Sequence, residues 1–80
     1  MKDNDIKITK KVRINVDEVM QERGLTQTEL SELTKIRQAS ISQLSRGFVS
    51  RLSLEHIERI ASALDIDDIN EIITLVDDDK

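Results

Sequence analysis

Cysteine and proline are absent from this 80-residue chain, glycine occurs twice, and Phe48 is the sole aromatic residue. Without cysteine there is no disulfide, no thiolate zinc site and no thiol nucleophile. A secretory leader needs an apolar run of about 7–15 residues, and the opening MKDNDIKITK holds nothing of the kind. No stretch approaches transmembrane length. A reducing, cytoplasmic setting is the expectation that follows. No repeat, low-complexity tract or proline/glycine-rich linker divides the chain, so residues 1–80 read as a single domain. Glycine-rich phosphate loops, nucleophile–base pairs and metal-ligand spacings are missing too, so neither enzyme activity nor a cofactor or metal is expected.

The few residues that could suggest chemistry read more simply as structure. His56 is the only histidine, and a zinc site built on it would have no second histidine and no cysteine, so it is expected at the surface. Glu29 and Glu32 share a helix face but have no partner group, and acids near a helix start suit the dipole. Residues 77–79 are three aspartates without the alternating ligands of a calcium loop, hence a solvated tail. Phe48 is expected to cover the end of the third helix rather than to stack on a base.

What is present is a soluble, globular balance of 38% hydrophobic and 35% charged residues. A chain this short buries only roughly 60% of its unfolded surface, so nearly every apolar side chain is needed in the core. The net charge of −4 disfavours nucleic acid at first sight, but its distribution does not. Residues 1–14 carry five bases and two acids, and residues 15–34 carry one base and five acids. Residues 35–51 carry Lys35, Arg37, Arg46 and Arg51 without a single carboxylate, while the last 29 residues hold nine acids. Local patches, more than overall charge, make phosphate contacts.

Hydrophobic spacing supplies the elements. IKITKKVRINV places Ile6, Ile8, Val12, Ile14 and Val16 at even positions, which predicts a half-buried strand over about residues 6–14. Asn15, with Glu18 three residues on, predicts a capping box for a helix over 16–23 that Gly24 ends. Thr26 and Glu29 form a second box for a helix over 27–34, with Leu30 and Leu33 facing inward. A third helix over 38–46 buries Ile41 and Leu44 and stops at Gly47. Ser53 caps a fourth over 54–64, where Leu54, Ile57, Ile60, Ala61 and Leu64 keep a 3.6 period. Asp67 or Asp68 caps a short fifth over 68–72 through Ile69 and Ile72, and ITLV closes the chain as a strand over 73–76 before the acidic tail, 77–80. The expected fold is therefore an all-α, five-helix bundle with a short strand at each end. The two strands pair within one chain, the arrangement favoured, or between two chains; alone, each is too short to persist.

The second and third helices, about two turns each and joined by three or four residues, have helix-turn-helix spacing. LTQTELSELTKIRQASISQLSRG, residues 25–47, resembles the Cro/cI-type, lambda-repressor-like helix-turn-helix family, and LSLEHIERIASALDI, residues 52–66, resembles that family's fourth helix and its run into the fifth. The likeness covers roughly residues 12–73. It departs from the family at Lys35, where glycine is usual, and at Arg37, where a small capping residue is usual.

Exposed positions on a helix that starts near residue 37 are Arg37, Gln38, Ser40, Ser42 and Gln43. Arginine can bond guanine, and glutamine adenine, in bidentate fashion. Thr26, Thr28, Lys35, Arg46 and Arg51 suit phosphate contacts. The resemblance implies one more, at Gln27, matching the family's glutamine that touches a backbone phosphate. It also implies a sequence-specific regulator of duplex DNA, a repressor of phage or mobile-element type, that reads a double-stranded operator as a weak homodimer joined through the fourth and fifth helices. The alternative is a protein-interaction module, or the antitoxin of a toxin pair, built on the same fold.

Overall fold

A computed structural model describes residues 6–47 and 49–78. Along the chain run strand β1 (Lys10–Ile14), helices α1 (Val16–Arg23), α2 (Gln27–Thr34), α3 (Gln38–Leu44) and α4 (Leu54–Leu64), a 3-10 turn (Ile69–Glu71) and strand β2 (Ile73–Asp77). Among the described residues, four α-helices and a two-stranded antiparallel sheet make a small mixed α/β domain, not the five-helix all-α bundle expected from the sequence. The expected fifth helix is the 3-10 turn. Asp68 does cap it, accepting from the Asn70 N–H at 2.9 Å, but only one turn follows before Ile72 is wholly buried. From Ile73 onward the β-branched run favours an extended chain, so no second turn can form. Phe48 lies outside the described residues, as does the end of the acidic tail.

β1 pairs with β2 in the register Lys10↔Asp77, Val12↔Leu75, Ile14↔Ile73. Only the inner end of this ribbon meets the helices: Ile14 is 1% exposed, whereas Val12, Leu75, Ile8 and Ile6 face solvent. The expected strand over 6–14 is thus shortened to five residues. β2 runs to Asp77, one residue past its expected end and into the expected acidic tail, and among the described residues the last bond across the ribbon runs from the Asp78 N–H to the Thr9 carbonyl at 2.9 Å. Beyond it the alternation of Ile6 and Ile8 continues with no partner strand among the described residues.

The predicted capping role of Asn15 is also corrected. Its side chain makes no cap bond to α1. Instead its Oδ1 accepts from Arg13, and its Nδ2 donates to Thr74 Oγ1 at 3.3 Å, while Arg13 also reaches Glu18 at 3.2 Å. A buried amide must be bonded somewhere, and here β2 supplies the partner. The Asn15 N–H donates to the Ile72 carbonyl at 2.6 Å, and the Ile14 N–H to that of Gly47 at 2.7 Å. The start of α1 is therefore stitched to both the closing strand and the end of α3.

The core is drawn from every helix: Val16, Val19 and Met20 of α1, Leu30 of α2, Ile41 and Leu44 of α3, and Ile57, Ile60 and Leu64 of α4, joined by Ile14, Ile36, Ile66 and Ile72. Each such side chain, fully buried, stabilises by about 1.5–3 kcal/mol. Leu33 is not among them; it is 53% exposed. Thr34 takes the inward place one turn after Leu30, which turns Leu33 onto the flank of α2 beside Glu58 and Ala63 of α4. Leu54, in the first turn of α4, is exposed as well.

Candidate nucleic-acid interface

α2 opens on a complete capping box: Thr26 Oγ1 accepts from the Glu29 N–H at 3.1 Å, and Glu29 Oε1 accepts from the Thr26 N–H at 2.9 Å. It ends on Lys35, whose backbone is left-handed at φ 61°. A side chain in that conformation costs roughly 1–2 kcal/mol relative to a right-handed one. Neighbouring side chains hold it there. Thr34 Oγ1 donates to the Leu30 carbonyl at 2.7 Å and accepts from the Ile36 N–H at 3.2 Å. The Ser31 hydroxyl donates to the Ile36 carbonyl, and Arg59 of α4, paired with Glu55, donates to the Thr34 carbonyl at 3.1 Å. Ile36 itself is buried, which pins the turn to the core.

Arg37 stands at the N-cap of α3 in an extended conformation and makes no side-chain cap bond. With Ile41 and Leu44 buried, Arg37, Gln38 and Gln43 are exposed and Ser40 and Ser42 half-buried on the outer side of α3. The helix stops at Leu44, two residues short of the expected end. Ser45 competes with the backbone there: its Oγ lies 3.1 Å from the Ile41 carbonyl and 3.0 Å from that of Ser42. The chain then turns through Arg46 to Gly47, at φ 95°, where glycine is the unstrained residue. Ser45 also accepts from Gln27 Nε2 at 3.1 Å, tying the first residue of α2 to the last turn of α3. Gln27 is thus half-buried and engaged through its amide nitrogen, with its carbonyl oxygen unassigned to any protein partner among the described residues. Ser45 was not singled out by sequence reasoning, since only the crossing of the two helices brings it to Gln27.

Charge is arranged unevenly around this pair. Ion pairs among the described residues are Lys10–Asp77, Arg13–Glu18 and Arg59–Glu55, so Lys35, Arg37, Arg46 and Arg51 are in none of them. Gln43, Arg46 and Arg51 come together with Val49 and Ser50 around a shallow groove of about 280 Å³. A second groove, of about 320 Å³, adds Ser40, Ser53 and His56 to Gln43 and Arg51. His56, half-buried in the first turn of α4, therefore borders the face of α3, a neighbourhood the sequence did not disclose. Lys35 lies apart from these, in the groove between α2 and α4 with Glu55, Glu58 and Arg59. Thr26 and Thr28 are exposed at the opening of α2.

The family model of the Cro/C1-type HTH DNA-binding domain matches residues 15–78. The chain belongs to that family. Comparison with curated proteins and with solved structures finds no significant match. As a Cro/C1-type HTH domain it is a DNA-binding regulator. The matched span begins at Asn15, so β2 falls inside it and β1 precedes it. No helix among the described residues of this Cro/C1-type domain is long and apolar enough to cross a membrane.

Proposed function

We propose that α3 enters the major groove of a duplex operator and that the protein acts there as a repressor of the phage or mobile-element type. The observation that carries this reading is the outer side of α3, where Gln38 and Gln43 are exposed beside cations that are in no ion pair among the described residues. Gln38 is at the leading end of the helix, which reaches base edges first. Arg37, Ser40, Ser42 and Gln43 complete the base-reading set. Thr26, Gln27, Thr28, Arg46 and Arg51 hold phosphates, and so does Lys35, from the groove between α2 and α4. Repression follows from occupancy, since a domain seated in the groove excludes polymerase from the DNA it covers. A weak homodimer would set two copies of α3 about 34 Å apart, one turn of the duplex.

Substitution on the two classes of residue tests the reading. Gln38→Ala or Gln43→Ala should cost about 1–3 kcal/mol on the cognate site and relax the preference at particular base pairs. Arg46→Ala or Arg51→Ala should weaken all sequences alike and lower the salt slope by about one each. The readouts are selection from a random duplex pool and fluorescence anisotropy across a salt series, with the stoichiometry on the selected site expected at two chains. Glutamine changes that leave the preference intact would remove α3 as the reader. A protein that binds no duplex even at low salt would be an interaction module instead.

A further inference from the structure

We propose that β1 is a second DNA-contacting element, in which Lys10 and Lys11, with Lys7 ahead of them, hold backbone phosphates flanking the base pairs that α3 reads. This inference rests on the major-groove reading above and extends it to a strand that precedes the family's matched span.

Placement carries the proposal. The Ile14 N–H is bonded to the Gly47 carbonyl, so β1 ends directly against the segment that leaves α3. From there the strand runs back beside the connection to α4. Lys10, Lys11 and Val12 line a groove of about 510 Å³ with Val49 and Ser50. Val49 and Ser50 also line the groove of Gln43, Arg46 and Arg51. The two cationic grooves thus share a wall, and the surface that faces DNA beside α3 continues onto β1. Four residues at about 3.4 Å each carry Lys10 about 14 Å from Ile14, a reach of roughly four base-pair steps along a duplex.

Charge points the same way, opposed at Lys10. Residues 1–14 hold five bases against two acids in a chain whose net charge is −4. Lys7 is exposed, ahead of the ribbon. Lys10 is paired with Asp77 at 2.6 Å, but both side chains are well exposed, and such a pair is screened by salt and readily exchanged for a phosphate. Asp77 is thus a competitor for Lys10, and removing its charge should favour DNA. Lysines on an edge strand also discourage strand-to-strand aggregation, a role that needs no DNA at all. The two roles separate by experiment.

The test is anisotropy of the full chain on a random-sequence duplex across a salt series. Lys7→Gln/Lys10→Gln/Lys11→Gln should make the dependence of log affinity on log salt shallower by about two to three, at roughly 0.9 per phosphate. Base preference in a selected pool should stay that of the unmodified protein. Asp77→Asn should tighten binding about two- to fivefold at low salt, the range expected for freeing one exposed cation. This variant also decides the matter if the triple change fails to fold. An unmodified protein that binds DNA, with an unchanged slope in the triple variant or unchanged affinity in Asp77→Asn, overturns the role of β1 and leaves the α3 reading standing. An unmodified protein that binds no duplex overturns both.

Discussion

α1 and α2 both end on a left-handed residue, Gly24 at φ 67° and Lys35 at φ 61°, yet the two ends are secured by different means. At Gly24 the backbone suffices. Its N–H reaches the carbonyls of Gln21 and Met20, and the Leu25 N–H bonds Met20 at 2.9 Å. A Cβ placed there would meet nothing within 4 Å, so glycine is required by conformation alone and not by space. At Lys35 the conformation is unfavourable, and Thr34, Ser31 and Arg59 each bond a backbone group of the turn. The first turn is made by the residue in it. The second is made by its neighbours, and that arrangement leaves a cation where glycine would have left none. The second turn sets how α3 projects from α2, so under the proposed reading its lock bears on DNA binding, whereas the first bears only on stability.

The largest expected effect comes from breaking that lock. Thr34 is 3% exposed, and Thr34→Val keeps its volume while removing both of its hydrogen bonds. The buried Ile36 N–H would be left without a partner, at a cost of about 1–3 kcal/mol. Urea denaturation should show a lower midpoint with an unchanged slope, and the folded variant should bind every duplex more weakly because α3 is no longer fixed. Gly24→Ala comes next. The Cβ has room, so the cost is the left-handed backbone and little else, about 1 kcal/mol. DNA affinity of the folded variant should equal that of the unmodified protein. If Gly24→Ala proved the more costly of the two, or altered DNA binding while Thr34→Val did not, the contrast between the turns would collapse.

How far such features can be read from sequence depends on how local their causes are. The capping box of α2 is four residues of short-range chemistry, Thr26 to Glu29, and it forms as written. Asn15 has the same local signature, but its oxygen accepts from Arg13 while its amide nitrogen is held by Thr74, 59 residues away, so the cap does not form. Leu33 fits a helical period with Leu30, yet a buried threonine holds the inward place, because only a hydroxyl can serve the turn. Residues 68–72 have a cap and two apolar positions, enough for a turn and too few for a helix, and the β-branched stretch after them decides the outcome. In the candidate site, the polar outer side of α3 is legible from which residues must be buried. Its surroundings are not, since Ser45 against Gln27, His56 beside Gln43, and Val49 between α3 and β1 arise from packing across the chain.

The smallest expected change in stability is the most informative about function. Lys35→Gly relieves a left-handed side chain but also frees the unfolded chain, and the two terms, about 1–2 and about 0.4–1 kcal/mol, largely offset. The thermal midpoint should therefore stay level or rise slightly. The stem of Lys35 borders the groove between α2 and α4, but the bonds that fix the turn belong to Thr34, Ser31 and Arg59, and all of them survive the change. DNA binding should respond in the opposite sense. Loss of one phosphate contact lowers the salt slope by about one and weakens all sequences alike, with base preference intact. A variant clearly less stable than its parent would mean that the lysine stem, and not the side-chain lock, holds the turn. A variant equally stable, with an unchanged salt slope, would place Lys35 off the DNA, where its position apart from Arg46 and Arg51 and beside Glu55 and Glu58 would keep it a partner of α4.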